Sequence, residues 1–412
     1  MKLEISQECL TAELDALGAI SQEAPPVVTR VVFTKADAIA REFVKSKCRE
    51  AGLVVREDAV GNTFARWIGQ DPELAPVATG SHIDAIPNAG RFDGTVGVLG
   101  ALEAIRALKR SDYCPQRSIE LVIFTSEEPT RFGIGCLGSR LLSGLLDPVV
   151  AGQYKDRDGV SVDEARFAAG FEGPLALVRL PPGCYSAFVE MHIEQGSLLE
   201  QHNLPLGVVT AIAAPASLKI TIEGEGGHAG AVLMPDRHDA FLGASEIALA
   251  VETSARSSGS PDTVGTVGVC NVFPGAVNSI PSRVQMEIDV RDIDEDRRNS
   301  VLLKIEQACE EVAHRRGLRA KIELTNADPP AQCDPRVVDT FIRSSEMHGL
   351  PFERMISRAY HDSLFMSRIA PTAMLFIPCR GGVSHRPDEY ASPQAIAQGS
   401  LVLAQTLALL AE

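Results

Sequence analysis

At 412 residues the chain is longer than one ordinary hydrophobic core, so a large domain with a smaller companion is expected. Hydrophobic residues at 45% and charged residues at 23% match a water-soluble globular protein, and no run approaches the roughly 20 apolar residues of a bilayer span, which argues against a membrane protein. A net charge of −15 argues against nucleic acid as a partner, since phosphate recognition needs clustered lysine and arginine.

In chain order, residues 8–21 and 35–51 are expected to be amphipathic helices. Residues 54–58 and 63–67 read as a hairpin turning near Gly61. A buried strand at 76–83 precedes an Ala/Leu/Val-rich helix at 95–110 that ends on Lys109 and Arg110, favourable charges for a helix C-terminus. Residues 119–125 form a continuous apolar run, as in a strand covered on both faces, and 185–192 is a further strand. Near residue 215 the pattern changes. Residues 217–223 alternate apolar and polar side chains like a half-exposed antiparallel strand. A helix at 236–254, strands near 264–273 and 284–291, a helix at 294–316 and a strand at 319–325 complete a compact α+β unit. After Asp328-Pro329-Pro330 the chain returns to helix and buried strand, notably 373–377. The expected fold class is α/β, with a central mixed sheet flanked by helices. The expected domains are 1–213 and 330–412 together, with 214–329 inserted as a smaller lid or dimerisation domain.

Nine cysteines without a CxxC pair favour free thiols in a reducing compartment, and Met1-Lys2-Leu3-Glu4-Ile5 lacks the apolar stretch of a signal peptide, so a cytoplasmic protein is expected.

The chemistry concentrates at strand ends. Thr79-Gly80-Ser81-His82-Ile83-Asp84 is followed by Gly90-Arg91-Phe92-Asp93-Gly94, which brings an imidazole and two carboxylates around one loop. Residues i and i+2 of a strand share a face, so His82 and Asp84 can address one pocket. Glu127-Glu128 follows the 119–125 strand, His192 closes the 185–192 strand, and His385 lies in the Ser384-His385-Arg386-Pro387 loop beyond 373–377. Each alone is ordinary: a histidine at a strand end is usually a satisfied polar group, and a Glu-Glu pair is usually solvated. Together, at successive strand ends, they read as a two-metal site. A carboxylate has two oxygens and can bridge two cations about 3.5–4 Å apart. Asp93 is therefore expected to be shared, with His82 and His192 on one metal and Glu128 and His385 on the other. Mixed imidazole and carboxylate donors suit zinc, manganese, cobalt or nickel better than calcium or magnesium. Glu127 is left as the general base of a hydrolysis, and Asp84 is expected to orient the His82 ring.

The order His82-x-Asp84, Asp93-Gly94, Glu127-Glu128, His192 and His385 resembles the M20-type di-metal amidohydrolases and peptidases. His192 followed by Ile193-Glu194-Gln195-Gly196 is similar to the branch acting on N-carbamoyl and ureido compounds, which includes allantoate and N-carbamoyl-amino-acid amidohydrolases. Phe124-Thr125-Ser126-Glu127-Glu128-Pro129-Thr130-Arg131-Phe132-Gly133, Ala214-Pro215-Ala216-Ser217 and Ser357-Arg358-Ala359-Tyr360-His361-Asp362-Ser363 resemble the ureidoglycolate amidohydrolase group within that branch, whose plant members carry a secretory segment and reside in the endoplasmic reticulum. The Tyr360 position is the distinguishing one, since relatives acting on allantoate or carbamoyl amino acids typically carry glycine there.

The resemblance implies hydrolysis of (S)-ureidoglycolate to glyoxylate, ammonia and carbon dioxide, with two divalent ions, manganese foremost. It further implies a small anionic ureido substrate and a homodimer joined through the inserted domain. It also assigns roles. His228, in Gly226-Gly227-His228-Ala229-Gly230, would stabilise the oxyanion, across the dimer or on domain closure. Asn278 and Arg291 would grip the substrate carboxylate, which a guanidinium fork matches in two bonds. Gln195 would bond the ureido end, and Tyr360 and His361 would line the pocket. The rival substrates are allantoate and N-carbamoyl-L-amino acids. The rival outside catalysis is a binding protein on the same scaffold, for which Glu127 would have no use.

Overall fold

The computed structural model describes residues 2–412, which divide into two compact units. One comprises the chain up to Thr210 with Cys333–Ser357 and His361–Glu412, and the other comprises Ala211–Gln332 with Arg358–Tyr360.

The larger unit is built on a mixed sheet. Its strands run in the order Leu206–Ile212, Thr372–Ile377, Ala187–Ile193, Val77–His82, Ile119–Phe124, Thr63–Trp67, Val54–Glu57, and Phe352–Ser357 also pairs with Leu206–Ile212. The four strands from Thr372–Ile377 to Ile119–Phe124 are mutually parallel, and the pairings outside them are antiparallel where Thr63–Trp67 meets Ile119–Phe124 and Leu206–Ile212 meets Thr372–Ile377. All four parallel strands are buried along their whole length, which is why they read as mainly apolar or small-residue runs, interrupted by the buried Glu120, Glu190 and strand-end histidines, rather than alternating ones. Register aligns their ends: His82 lies opposite Phe124, and His192 opposite Phe376. Their carboxyl ends therefore open on one crevice, the usual position of a site in such sheets.

The helix Thr95–Arg110 is buried along almost its entire length and packs against Pro393–Leu410, itself apolar and largely buried. Gly94 caps Thr95–Arg110 at a φ of +65°, and a Cβ there would stand 2.5 Å from the His82 ring, so glycine is required both for conformation and for the close approach of the imidazole. Three short helices, Leu137–Ser143, Pro148–Gln153 and Val162–Ala168, follow the Ile119–Phe124 strand.

The smaller unit carries a four-stranded antiparallel sheet in the order Val264–Phe273, Arg283–Asp292, Ala214–Glu223, Arg319–Ala327. Burial alternates along Ala214–Glu223 and Arg283–Asp292, as it must when one face is covered. The covering layer is Ala240–Arg256 and Glu295–Arg316, whose Ile247, Val251, Val301 and Ile305 join Leu218, Ile220, Met286 and Ile288 in a separate core. A two-stranded ribbon pairs Gly227–His228 with Ser279–Ile280. All nine cysteines are free, and no helix among the described residues is long and apolar enough to cross a membrane.

Candidate metal and catalytic centre

At the end of Val77–His82 the His82 ring is fixed by its Nδ1, 3.0 Å from the main-chain oxygen of Asp84. The equivalent nitrogen of His192 lies 2.9 Å from the oxygen of Ile193. With Nδ1–H donated to a carbonyl, each ring presents an Nε2 lone pair to the crevice. His192 Nε2 accepts the Gly94 N–H at 3.2 Å, which is consistent with that tautomer.

Asp93 is the centre of the arrangement. Its Oδ1 is 3.1 Å from His192 Nε2 and 3.6 Å from His82 Nε2. Its Oδ2 faces the other way, 3.3 Å from His385 Nε2. That same His385 nitrogen is 3.3 Å from Glu128 Oε1. Two sets of donor atoms thus converge, His82–Asp93–His192 and Asp93–Glu128–His385, and they share one carboxylate. Their mix of imidazole nitrogen and carboxylate oxygen is a donor set that could hold metal ions. His82, His192, Asp93 and Glu128 are buried, whereas the His385 side chain is 46% exposed and adopts a positive φ in its loop.

The electrostatics agree. Burial works against a charge on His82, yet Glu127, Asp93 and Asp84 outweigh it and raise the imidazole pKa well above its usual value. His385 is pushed up to about 11 by its bonds to Asp93 and then Glu128. Burial alone would raise Asp93, but the imidazoles of His192, His385 and His82 gathered around it bring it well below the usual carboxylate range. Carboxylates that hold protons on imidazoles this strongly would also attract a cation.

Glu127 and Glu128 are split as neighbours at a broken strand end must be. Ser126 takes a φ of +56°, ending the extended run, and both side chains then reach the crevice. Glu128 faces His385, while Glu127 Oε2 lies 3.8 Å from His82 Nε2 and its Oε1 lies 3.5 Å from the buried Cys136 thiol. Burial, reinforced by Glu128, Asp362 and Asp93 over the opposing pull of His82, raises the Glu127 carboxyl well above its ordinary pKa. That is the condition of a group that both takes and returns a proton.

One expectation needs correcting in detail. It is the main-chain oxygen of Asp84 that orients His82; the Asp84 carboxylate sits 3.7 Å from Nδ1. That carboxylate instead accepts the N–H groups of Glu127 and Glu128 at 3.3 and 3.1 Å, anchoring the loop that carries both acids. Gln195, expected at the ureido end, turns its amide nitrogen onto Asp93 Oδ2 at 2.7 Å and onto Ser384 Oγ at 3.2 Å. His361 is fully enclosed, its ring 4.4 Å from that of His192 and its Nε2 3.1 Å from Ser357 Oγ.

The remaining expected residues belong to the smaller unit. His228 is exposed and its Nδ1 accepts the Gly230 N–H at 3.1 Å, which leaves Nε2–H as an outward donor. Asn278 is exposed beside the ribbon, its carbonyl bonded to the Ala229 N–H at 2.9 Å. Arg291 is already held by Asp289 at 2.8 and 3.2 Å, with its guanidinium 5.9 Å from the Tyr360 ring.

Three further residues take part to which the sequence assigned no role of their own. Ser384 Oγ donates to Asp93 Oδ2 at 2.6 Å. Glu190 accepts from Ser81 at 2.7 Å and from the Ser363 hydroxyl at 2.6 Å behind His192. Glu389 accepts the main-chain N–H groups of Phe92 and Asp93. Glu190 was two residues from a chosen histidine, so proximity was a signal; Glu389 gave none.

Comparison with known proteins follows the same line. The model of "Peptidase family M20/M25/M40" matches residues 78–409. Ureidoglycolate hydrolase of Arabidopsis thaliana is 53% identical, over 99% of this chain and 87% of its own length. N-carbamoyl-L-amino acid amidohydrolase of Geobacillus stearothermophilus is 38% identical, over 99% of each. The crystal structure of AtUAH in complex with glyoxylate superimposes with a TM-score of 0.89 at 52% identity, covering 99% of this chain and 98% of that one. With this extent of match in sequence and fold, the chain belongs to Peptidase family M20/M25/M40.

Proposed function

We propose that this protein is a metal-dependent amidohydrolase that cleaves the ureido C–N bond of (S)-ureidoglycolate, yielding glyoxylate, ammonia and carbon dioxide. One observation carries the reading: Asp93 divides its two oxygens between His82 with His192 and His385 with Glu128. The family's metal dependence supports it, and the relatives named for ureidoglycolate and the glyoxylate held by AtUAH support the substrate. His82, Asp93 and His192 would hold one divalent ion and Asp93, Glu128 and His385 the other, and manganese is our assignment.

When bound, the ions supply Lewis-acid activation of water and of the ureido carbonyl. Glu127 takes the proton of the attacking water on its carboxylate and returns it to the nitrogen that leaves as the C–N bond breaks. Its high proton affinity in the folded protein suits the second half of that duty. His228, with Nε2–H directed outward, is assigned the donor to the oxyanion. Arg291 and Asn278 are assigned the substrate carboxylate, and Tyr360 and His361 the pocket wall. Asp289 holds the Arg291 fork in one orientation before any ligand arrives. Gln195 is assigned to the ureido end, and its bond to Asp93 is the one it must exchange to act there. We further propose a homodimer formed through the smaller unit, where Leu233, Met234, Phe241, Leu242, Leu249 and Val277 are exposed.

The second reading is hydrolysis of N-carbamoyl-L-amino acids or allantoate, supported by relatives of those names. Tyr360 argues against it, since a phenol occupies space a longer substrate would need. The test is kcat/KM of the manganese-loaded protein on (S)-ureidoglycolate, allantoate and an N-carbamoyl-L-amino acid, read as ammonia or amine release. Ureidoglycolate should be preferred; allantoate turned over equally well would defeat the substrate assignment.

A further inference from the structure

Glu389 lies four residues beyond His385 and is 4% exposed. A single oxygen, Oε1, accepts two consecutive main-chain N–H groups, Phe92 at 2.7 Å and Asp93 at 3.0 Å, nearly three hundred residues away in sequence. Its second oxygen is buried too, and the carboxyl also feels the main-chain N–H of His385 itself. The loop opposite is shaped to admit it. A Cβ on Gly90 would come within 2.6 Å of Glu389 Cδ and Oε1, so only glycine leaves room for this carboxyl at that point. The segment is itself held in place: Glu389 N–H donates to Arg386 O at 3.1 Å, and the Tyr390 ring meets Phe92 edge-on at 5.8 Å.

These contacts join the two loops that supply Asp93 and His385. Neither belongs to a regular element at those positions, and the Ser384 hydroxyl joins the same two loops through the Asp93 side chain, so Glu389 adds the hold on the Asp93 main chain. From the geometry we infer that Glu389 is a positioning residue, a clamp that fixes the Asp93 main chain against the His385 loop so that the two Asp93 oxygens are divided correctly between the two donor sets. This rests on the reading of Asp93 as the shared ligand. The acceptor, not the charge, is the working part, because what Glu389 meets is a pair of N–H groups.

The substitutions that separate these are Glu389→Gln, which keeps an oxygen acceptor, and Glu389→Met, which keeps volume and loses it. Binding of Mn2+ alone is measured by titration calorimetry on metal-stripped full-length protein, with Asp93→Asn alongside, and kcat and KM follow on the reloaded proteins. Glu389→Met should weaken Mn2+ binding by about 10–100-fold, the usual effect of losing a group that orients a ligand. It should lower kcat with little change in KM, and Glu389→Gln should restore most of both. Wild-type Mn2+ affinity in Glu389→Met, with binding lost in Asp93→Asn, overturns the clamp and leaves the reading of the site standing. Binding untouched by Asp93→Asn overturns both. If Glu389→Met does not fold, Glu389→Asp decides: withdrawing the carboxylate by one methylene should weaken Mn2+ more than Glu389→Gln does, and the reverse order overturns the clamp.

Discussion

Two adjacent acids reach one crevice because of one bent residue. Because Ser126 leaves the strand conformation, Glu127 and Glu128 both face the crevice, one beside His82 and one beside His385. Glu127→Gln preserves shape and removes the proton acceptor. It is expected to reduce kcat by at least the roughly 10²–10⁴-fold of a lost general base while Mn2+ content stays unchanged; full activity in this variant, measured by ammonia release, would take Glu127 out of the mechanism. His228→Ala is expected to cost about 10²–10³-fold in kcat with a smaller effect on KM, as for the loss of one oxyanion donor. At this scale the sequence was most legible where chemistry and spacing coincide. His82, Asp93, Glu128, His192 and His385 each stand out as a polar residue after a buried run, and the structure brings their donor atoms together. Glu389 was not legible, since one of two adjacent acids in a polar loop looks solvated, and only the fold reveals that it meets Phe92 and Asp93. The Asp84 carboxylate was misread for a related reason: which side-chain oxygen meets which main-chain N–H depends on the path of the loop, and no residue pattern encodes that.

At the scale of elements, four neighbouring parallel strands end at one level and each delivers part of the centre directly or through the loop that follows. Their buried runs made Val77–His82, Ile119–Phe124, Ala187–Ile193 and Thr372–Ile377 readable. The short helices Leu137–Ser143, Pro148–Gln153 and Val162–Ala168 were not, because two turns or fewer give too few repeats to establish a period. Arg283–Asp292 places Asp289 and Arg291 on one face, two residues apart, and so pre-aims the guanidinium. Arg291→Ala is expected to raise KM for carboxylate-bearing ureides by about 10–100-fold, from the roughly 1.5–3 kcal/mol of a charged hydrogen bond, with kcat less affected. An unchanged KM would remove Arg291 from substrate binding. Gly94→Ala is expected to weaken Mn2+ binding and lower Tm, since the added methyl meets the His82 ring at an unfavourable φ; a titration matching the unaltered protein would contradict this.

For the whole molecule, length points to a large fold with a smaller companion, and the change from mainly apolar to alternating patterning near residue 215 coincides with the change from a sheet covered on both faces to one covered on a single face. The return of Arg358–Tyr360 to the smaller unit was not readable, because membership of a unit is set by three-dimensional contact and three residues carry no pattern. A centre that draws ligands from four strand ends should couple metal binding to global stability. Saturating Mn2+ is expected to raise Tm by a margin that grows with concentration, in proportion to RT ln(1 + [Mn2+]/Kd), and chelation should reverse it; a Tm indifferent to Mn2+ would separate the site from the fold. The most direct test of the shared carboxylate is anomalous diffraction from crystals soaked in Mn2+. Two peaks about 3.5–4 Å apart, each within bonding distance of a different oxygen of Asp93, are the expected result. A single peak, or two of which only one touches Asp93, would contradict it.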